Sequence, residues 1–306
     1  MSAKRKTKSS AGTEMIVKFW GVRGSIPAPG PQIVKYGGNT SCVSVEDGKD
    51  MIILDGGSGI RPLGNSIIKK MFSSGKPEPI EMSIFLSHVH WDHIQGIPFF
   101  KPMYFPRAVA LNTIHMYGEK KARVSLEETL KGQQQYPNFP ITLEEIKING
   151  ANVSFTDLVA GTTVQVGAMA VENTKLSHPD GVFCYKISSN GKSIVYATDT
   201  EHRNVLDPRL QKIAKDADIL IYDAQYTPEE YAGTPPPAKF DWGHSTYDQA
   251  ILAARNTLKP DGQLILFHHD PDHDDAKIDE IEKCAQDMAG SDIKVMAARE
   301  GMELKI

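Results

Sequence analysis

The chain has 306 residues, 40% apolar and 24% charged, which is ample for a buried core and ordinary for a globular protein. No apolar run approaches the roughly 20 residues of a membrane span. Three cysteines at 42, 184 and 284, with no Cys-x-x-Cys spacing, argue against a disulfide framework or a thiolate zinc site and for a reducing cytoplasm. Lys4, Arg5, Lys6 and Lys8 sit in the first thirteen residues without an acid, so against a total of −4 the remainder holds −8, and that acidic body argues against a broad nucleic-acid face.

Residues 1–13 read as a disordered basic tail, and one domain is expected over 14–306. The polar start has no apolar h-region and does not read as a secretory signal. Residues 15–20 alternate and predict a strand, and the Gly- and Pro-rich stretch 21–38 predicts a loop. Strands are predicted at 41–46 and 51–54, joined by a turn at Asp47-Gly48. Gly56-Gly57-Ser58-Gly59 leads into a helix over 60–72, and 83–86 is a short buried strand. A helix is predicted over 119–131. Segments 153–155, Thr163–Val166, 170–176, 182–187 and 193–197 predict a strand meander. A helix at 204–215 and a buried strand at 219–222 follow. Residues 245–258 carry apolar residues at 251, 254 and 258 behind a Ser245…Asp248 capping pattern, so they predict a helix. A strand at 264–267, a helix at 276–288 and two short strands complete the chain. Strands then helices, twice over, suit two packed sheets with outer helices.

The strongest chemical signal is Ser87-His88-Val89-His90-Trp91-Asp92-His93, directly after the strand at 83–86. Three imidazoles and a carboxylate so close together suit borderline divalent cations such as zinc, manganese or iron. On an extended segment His88 and His90 point the same way, and a following turn can aim Asp92 and His93 at an adjacent ion.

This motif resembles that of the metallo-β-lactamase fold superfamily, dinuclear metallohydrolases built as a four-layer αββα sandwich in the α/β class. The resemblance covers nearly all of residues 15–306. Further matches follow in order on predicted strand ends: His178, Asp199 in Tyr196-Ala197-Thr198-Asp199-Thr200, and His268. The resemblance implies two divalent ions, with zinc the first expectation and manganese the second. One would be held by His88, His90 and His178, the other by Asp92, His93 and His268, with Asp199 bridging both. Such ions, about 3.5–4 Å apart, lower the pKa of water between them and clamp a phosphoryl oxygen. Asp55 in Leu54-Asp55-Gly56-Gly57 matches the aspartate that orients the ligand loops. His268 and His269 face opposite sides of one strand. The family's ligand directly ends an apolar strand, which selects His268 and leaves His269 behind it or on the rim.

Trp242-Gly243-His244-Ser245-Thr246 is similar to a His-Ser-Thr of ribonuclease Z-like enzymes, whose histidine acts as general acid toward a phosphodiester. Asp223 stands where that subgroup keeps a glutamate to orient the histidine, which shortens the reach. Asp92, His244 and Asp223 are the catalytic residues so implied. The Gly-rich segments around Arg23 and around Asn39-Thr40 resemble a phosphodiesterase branch of this group. Arg23 is expected to reach a phosphate, and Asn39 and Thr40 to donate hydrogen bonds to substrate. Only 21 residues separate His178 from Asp199, which leaves no room for the arm with which ribonuclease Z grips transfer RNA. A loop at about 227–243, with Pro235-Pro236-Pro237, is expected to line the site or cross to a partner, and the resemblance implies a homodimer. The expected activity is cytoplasmic hydrolysis of a small anionic phosphodiester, foremost a 3′,5′-cyclic nucleotide opened to the monophosphate. A transfer-RNA 3′-processing nuclease and a non-catalytic nucleotide-binding sensor are the alternatives.

Overall fold

The computed structural model describes residues 14–121, 123–202 and 205–306; the tail expected at 1–13 and the first residue of the helix expected at 204–215 lie outside them. Strands β1 (Ile16–Gly21), β2 (Cys42–Asp47), β3 (Asp50–Leu54), β4 (Glu81–Phe85), β5 (Thr113–Glu119) and β6 (Asn152–Leu158) build a first sheet. A second contains β7 (Thr163–Val166), β8 (Met169–Leu176), β9 (Val182–Ser189), β10 (Lys192–Ala197), β11 (Ala217–Asp223), β12 (Leu258–Phe267) and β13 (Lys294–Ala297), while β14 (Glu303–Lys305) returns to the first. The orders are β14-β1-β2-β3-β4-β5-β6 and β13-β12-β11-β10-β9-β8-β7. In each sheet one half is antiparallel and the other, β3 to β6 or β10 to β13, is parallel.

The sheets pack face to face because alternate residues of their strands are large and apolar. Val17, Phe19, Val43, Leu54 and Phe85 of the first meet Tyr185, Tyr196, Ile221 and Phe267 of the second, all buried. The ring pairs Phe85–Tyr185 (5.5 Å) and Phe19–Phe267 (6.2 Å) cross the interface. Burying such a side chain stabilises by about 1.5–3 kcal/mol. Outside, the helix Ile60–Met71 lays Ile60, Leu63 and Ile67 on Ile53 and Ile84, at the spacing of one helical face. Helices Tyr247–Thr257 and Asp275–Ala289 lay Ile251, Ala254, Ile281 and Ala285 on Leu220, Leu264 and Leu266. The result is the expected four-layer αββα sandwich. Among the described residues no helix is long and apolar enough to cross a membrane.

Several local expectations need correction. Residue 119 ends β5, and the helix runs Leu126–Gln133, started by a Ser125–Glu128 capping box. A second capping box, Thr142–Glu145, opens a helix over Leu143–Asn149 that was not foreseen. Strand β6 pairs in parallel with β5, so the meander holds only β7 to β10. The helix expected from 204 begins at Pro208, capped by Asp207. Ser245 does not cap the next helix: Thr246 occupies that position, and Ser245 Oγ lies 2.9 Å from His202 Nδ1. The stretch 227–243 is not all loop, since Pro228–Tyr231 is a short helix.

Candidate metal centre

The carboxyl ends of β3, β4, β8, β10, β11 and β12 come to one edge of the sandwich, and the candidate residues sit at these ends or just past them. These are Asp55, the His88–His93 segment, His178, Asp199, Asp223 and His268. Three of them turn sharply there: Asp55, Asp199 and His268 have φ of 62°, 50° and 63°. Left-handed backbone at residues other than glycine stores strain, and such strain concentrates where side chains must be aimed.

The aim is toward two adjoining donor sets. Asp199 Oδ1 lies 3.2 Å from both His93 Nε2 and His268 Nε2. Its Oδ2 lies 3.7 Å from His88 Nε2 and 3.9 Å from His178 Nε2. Asp92 Oδ2 joins the first pair at 3.2 and 3.1 Å. His90 Nδ1 joins the second, 3.1 Å from His178 Nε2. Two groups result, His88, His90 and His178, and Asp92, His93, Asp199 and His268, each with ligand atoms within 4.8 Å of one another.

The chemistry of the set fits divalent cations. The Nε2 atom of His88 is buried without a hydrogen-bond partner, a condition that costs about 1–3 kcal/mol unless something occupies the lone pair. The opposite ring atoms are anchored, as in metal-binding histidines. His93 Nδ1 meets Asp55 Oδ2 at 2.7 Å, His268 Nδ1 meets Gln225 Oε1 at 3.0 Å, His178 Nδ1 meets the Gly243 carbonyl at 2.8 Å, and His88 Nδ1 meets Ser87 Oγ at 3.1 Å. Burial drives the His88 imidazolium well below its usual range and His178 down to about 4, leaving the neutral, ligating ring. For Asp92, burial opposes ionisation, but the His93 ring and the hydrogen bond to His268 outweigh it and keep a carboxylate.

Asp55 is fully buried and also accepts from Ser87 N–H (2.7 Å), Ser87 O–H (2.8 Å) and Tyr196 O–H (2.8 Å). An amide there would turn a donor against donors. Asp55→Asn is expected to weaken metal retention about 10–100-fold, measured by chelator competition. Gly243 has φ +89°, and a Cβ on it would lie 2.2 Å from His178 Nδ1. Gly243→Ala is therefore expected to dislodge His178 and lower the metal retained by the His88, His90 and His178 set, read by elemental analysis after dialysis.

His244 stands over the cluster. Its ring lies 5.0 Å from that of His268 and 5.3 Å from that of His178. The shorter side chain at 223 does reach it: Asp223 Oδ2 is 2.9 Å from His244 Nδ1, and Asp223 Oδ1 accepts from Ser245 N–H and Gln225 N–H, both at 3.1 Å. Burial lowers the His244 imidazolium, but the Asp223 charge and hydrogen bond, with Asp199 and Asp92 behind them, raise it to about 9. The ring can thus carry a proton at neutral pH.

Other expected residues sit elsewhere. Arg23 is fully buried, and its guanidinium donates to the carbonyls of Gly37, Asp270 and His273 at 2.8, 2.9 and 2.6 Å, so it does not reach for a phosphate. Asn39 is tied to Glu300 and Ser58, and buried Thr40 to Ser58 and Gln95; both brace the loop. His269 lies outside the donor set, its Nε2 2.9 Å from the Ala298 carbonyl, and burial lowers its ring to about 3. Sequence reasoning missed Gln225, the Gly243 carbonyl and the Ser25 N–H, which donates to Asp92 Oδ2 at 2.7 Å. Only Gln225 left a trace, two residues past Asp223 and so on the same face of an extended segment.

A family model described as a beta-lactamase superfamily domain matches residues 62–269, more than half of the chain. A ribonuclease Z of Oceanobacillus iheyensis is 29% identical over 117 residues, which are 38% of this chain and 34% of that protein, so the match spans about a third of the relative's length. Among solved structures, the metallo-β-lactamase fold protein YhfI from Bacillus subtilis is similar with a TM-score of 0.69 and 18% identity, over 96% of this chain and 100% of that one. Unliganded yeast PDE1 is similar with a TM-score of 0.63 and 12% identity, over 96% and 100%.

Proposed function

The chain belongs to the metallo-β-lactamase superfamily, and on that premise we propose that it is a dinuclear metal-dependent phosphodiesterase for small anionic diesters, opening a 3′,5′-cyclic nucleotide to the nucleoside monophosphate. The observation that carries this reading is the His244–Asp223 pair set over a double donor cluster shared by the two oxygens of Asp199. Two divalent ions bound there supply an activated water and a clamp on the non-bridging phosphoryl oxygens. His88, His90 and His178 would hold one, Asp92, His93 and His268 the other, and Asp199 would serve both.

The remaining work falls to the chain's own groups. His244 keeps Nδ1 on Asp223, so its Nε2–H is left for the substrate. A ligand atom of its ring lies within 4.8 Å of those of His178 and Asp199. As a water oxygen bonds to phosphorus and the bond from phosphorus to the 3′-oxygen breaks, that oxygen takes the Nε2 proton; Asp223, which favours the protonated ring, then draws a proton from solvent back onto it. Asp92, fixed by the Ser25 N–H, keeps its charge toward the second ion.

A small substrate suits the acidic body, and strands β9 and β10 with a tight turn take up most of the interval between His178 and Asp199. A second reading, RNA cleavage, has the ribonuclease Z likeness behind it. Assaying metal-reconstituted protein on 3′,5′-cyclic AMP, 3′,5′-cyclic GMP and a precursor transfer RNA separates them. Cyclic nucleotide turnover is expected, and efficient precursor cleavage without it would overturn the proposal.

A further inference from the structure

Arg23 is a fully buried cation that the reaction does not use, and all three groups it holds are backbone carbonyls, one from its own loop and two from the loop after β12. Gly37 closes the loop between β1 and β2 of the first sheet, which also carries Arg23; Asp270 and His273 follow β12 of the second. A buried charge is costly unless its protons are bonded; Arg23 bonds through Nε and Nη1, while Nη2 is buried without a hydrogen-bond partner, and the planar fork of arginine holds its acceptors at fixed angles as lysine cannot. The backbone continues the stitch: His269 N–H donates to Val22 O at 3.0 Å, Gly24 N–H donates to His269 O at 2.9 Å, and Arg23 pairs with both Thr40 and His269.

What hangs from this stitch is specific. Ser25, at φ 61°, points its N–H at Asp92 Oδ2. Gly24 lies so close to His268 that a Cβ would stand 2.5 Å from its Cε1 and Nδ1. Both contacts reach ligands of the second donor set, and neither touches His88, His90 or His178. We propose that Arg23 is a positioning residue that locks the 22–25 segment between the sheets and so sets Asp92 and His268 for the second ion. The inference rests on the dinuclear reading of the cluster.

The test is a cobalt(II) titration of metal-stripped protein, followed by calorimetry and by the absorption of the bound ion, for wild type, Arg23→Lys, Arg23→Gln and Gly24→Ala. Wild type should bind two equivalents. In the Arg23 variants the second equivalent should bind at least tenfold more weakly while the first is unchanged, and saturating metal should restore most of the turnover of bis(4-nitrophenyl) phosphate. Gly24→Ala, with Arg23 intact, should reproduce the selective loss. Equal weakening of both equivalents together with a fall in the melting temperature of the metal-free protein, or no change in either equivalent, overturns the proposal. So does a tight second equivalent in Gly24→Ala. Fewer than two equivalents in wild type would instead sink the dinuclear reading itself.

Discussion

Asp199→Ala is expected to lose both ions together and to lower phosphodiester hydrolysis by about three orders of magnitude or more. Every other ligand faces one donor set, whereas the two oxygens of Asp199 face both, at 3.2 Å on one side and 3.7–3.9 Å on the other. Removing it leaves five imidazoles with Asp92 as the only carboxylate of the two sets to balance two dications. Metal assistance supplies several kcal/mol of transition-state stabilisation, and about 4 kcal/mol corresponds to a thousandfold in rate. Elemental analysis after dialysis, alongside the rate, checks this. His178→Ala, which faces one set, should keep close to one ion per chain. Retention of two ions by Asp199→Ala would remove the bridging role.

His244→Ala is expected to cost about 10²–10⁴-fold on a 3′,5′-cyclic nucleotide, the range of a lost general acid, with two ions still bound and KM little changed. The loss should shrink sharply on bis(4-nitrophenyl) phosphate, because nitrophenolate leaves without a proton. An equal loss on both substrates would mean that His244 binds or shapes the site and does not protonate. Asp223→Asn acts on the same step. The carboxylate is the largest group raising the His244 ring against burial, so without it the ring's pKa falls. The acid form is then lost as pH rises through that lower value, and the alkaline limb of the rate profile should move toward acid.

The legible part of the site was local in sequence. His88, His90, Asp92 and His93 lie in one run after an apolar strand, and their chemistry needs no tertiary information. His178, Asp199 and His268 were legible only through their order along a fold already suspected. What escaped is carried by backbone groups and by distance. The Ser25 N–H on Asp92 and the Gly243 carbonyl on His178 belong to no side chain. Arg23 in a Gly-rich loop looks like a phosphate ligand, and the carbonyls of Gly37, Asp270 and His273, the last 250 residues on, turn it inward. Strand β5 was missed although its burial alternates, because only Ile114 and Met116 mark the inward face with apolar side chains and the third inward position is Gly118. Strand β6 was given to the wrong sheet because neighbours in sequence suggest a meander, whereas its pairing with β5 is parallel and spans a crossover.

The most direct test is to titrate metal-stripped wild-type protein with zinc or manganese while following hydrolysis of bis(4-nitrophenyl) phosphate and then of 3′,5′-cyclic AMP. A shared centre built on Asp199 predicts that both rates climb until about two equivalents per chain are bound and then level off. Full rate at one equivalent, or no phosphodiester hydrolysis with two ions bound, would contradict it.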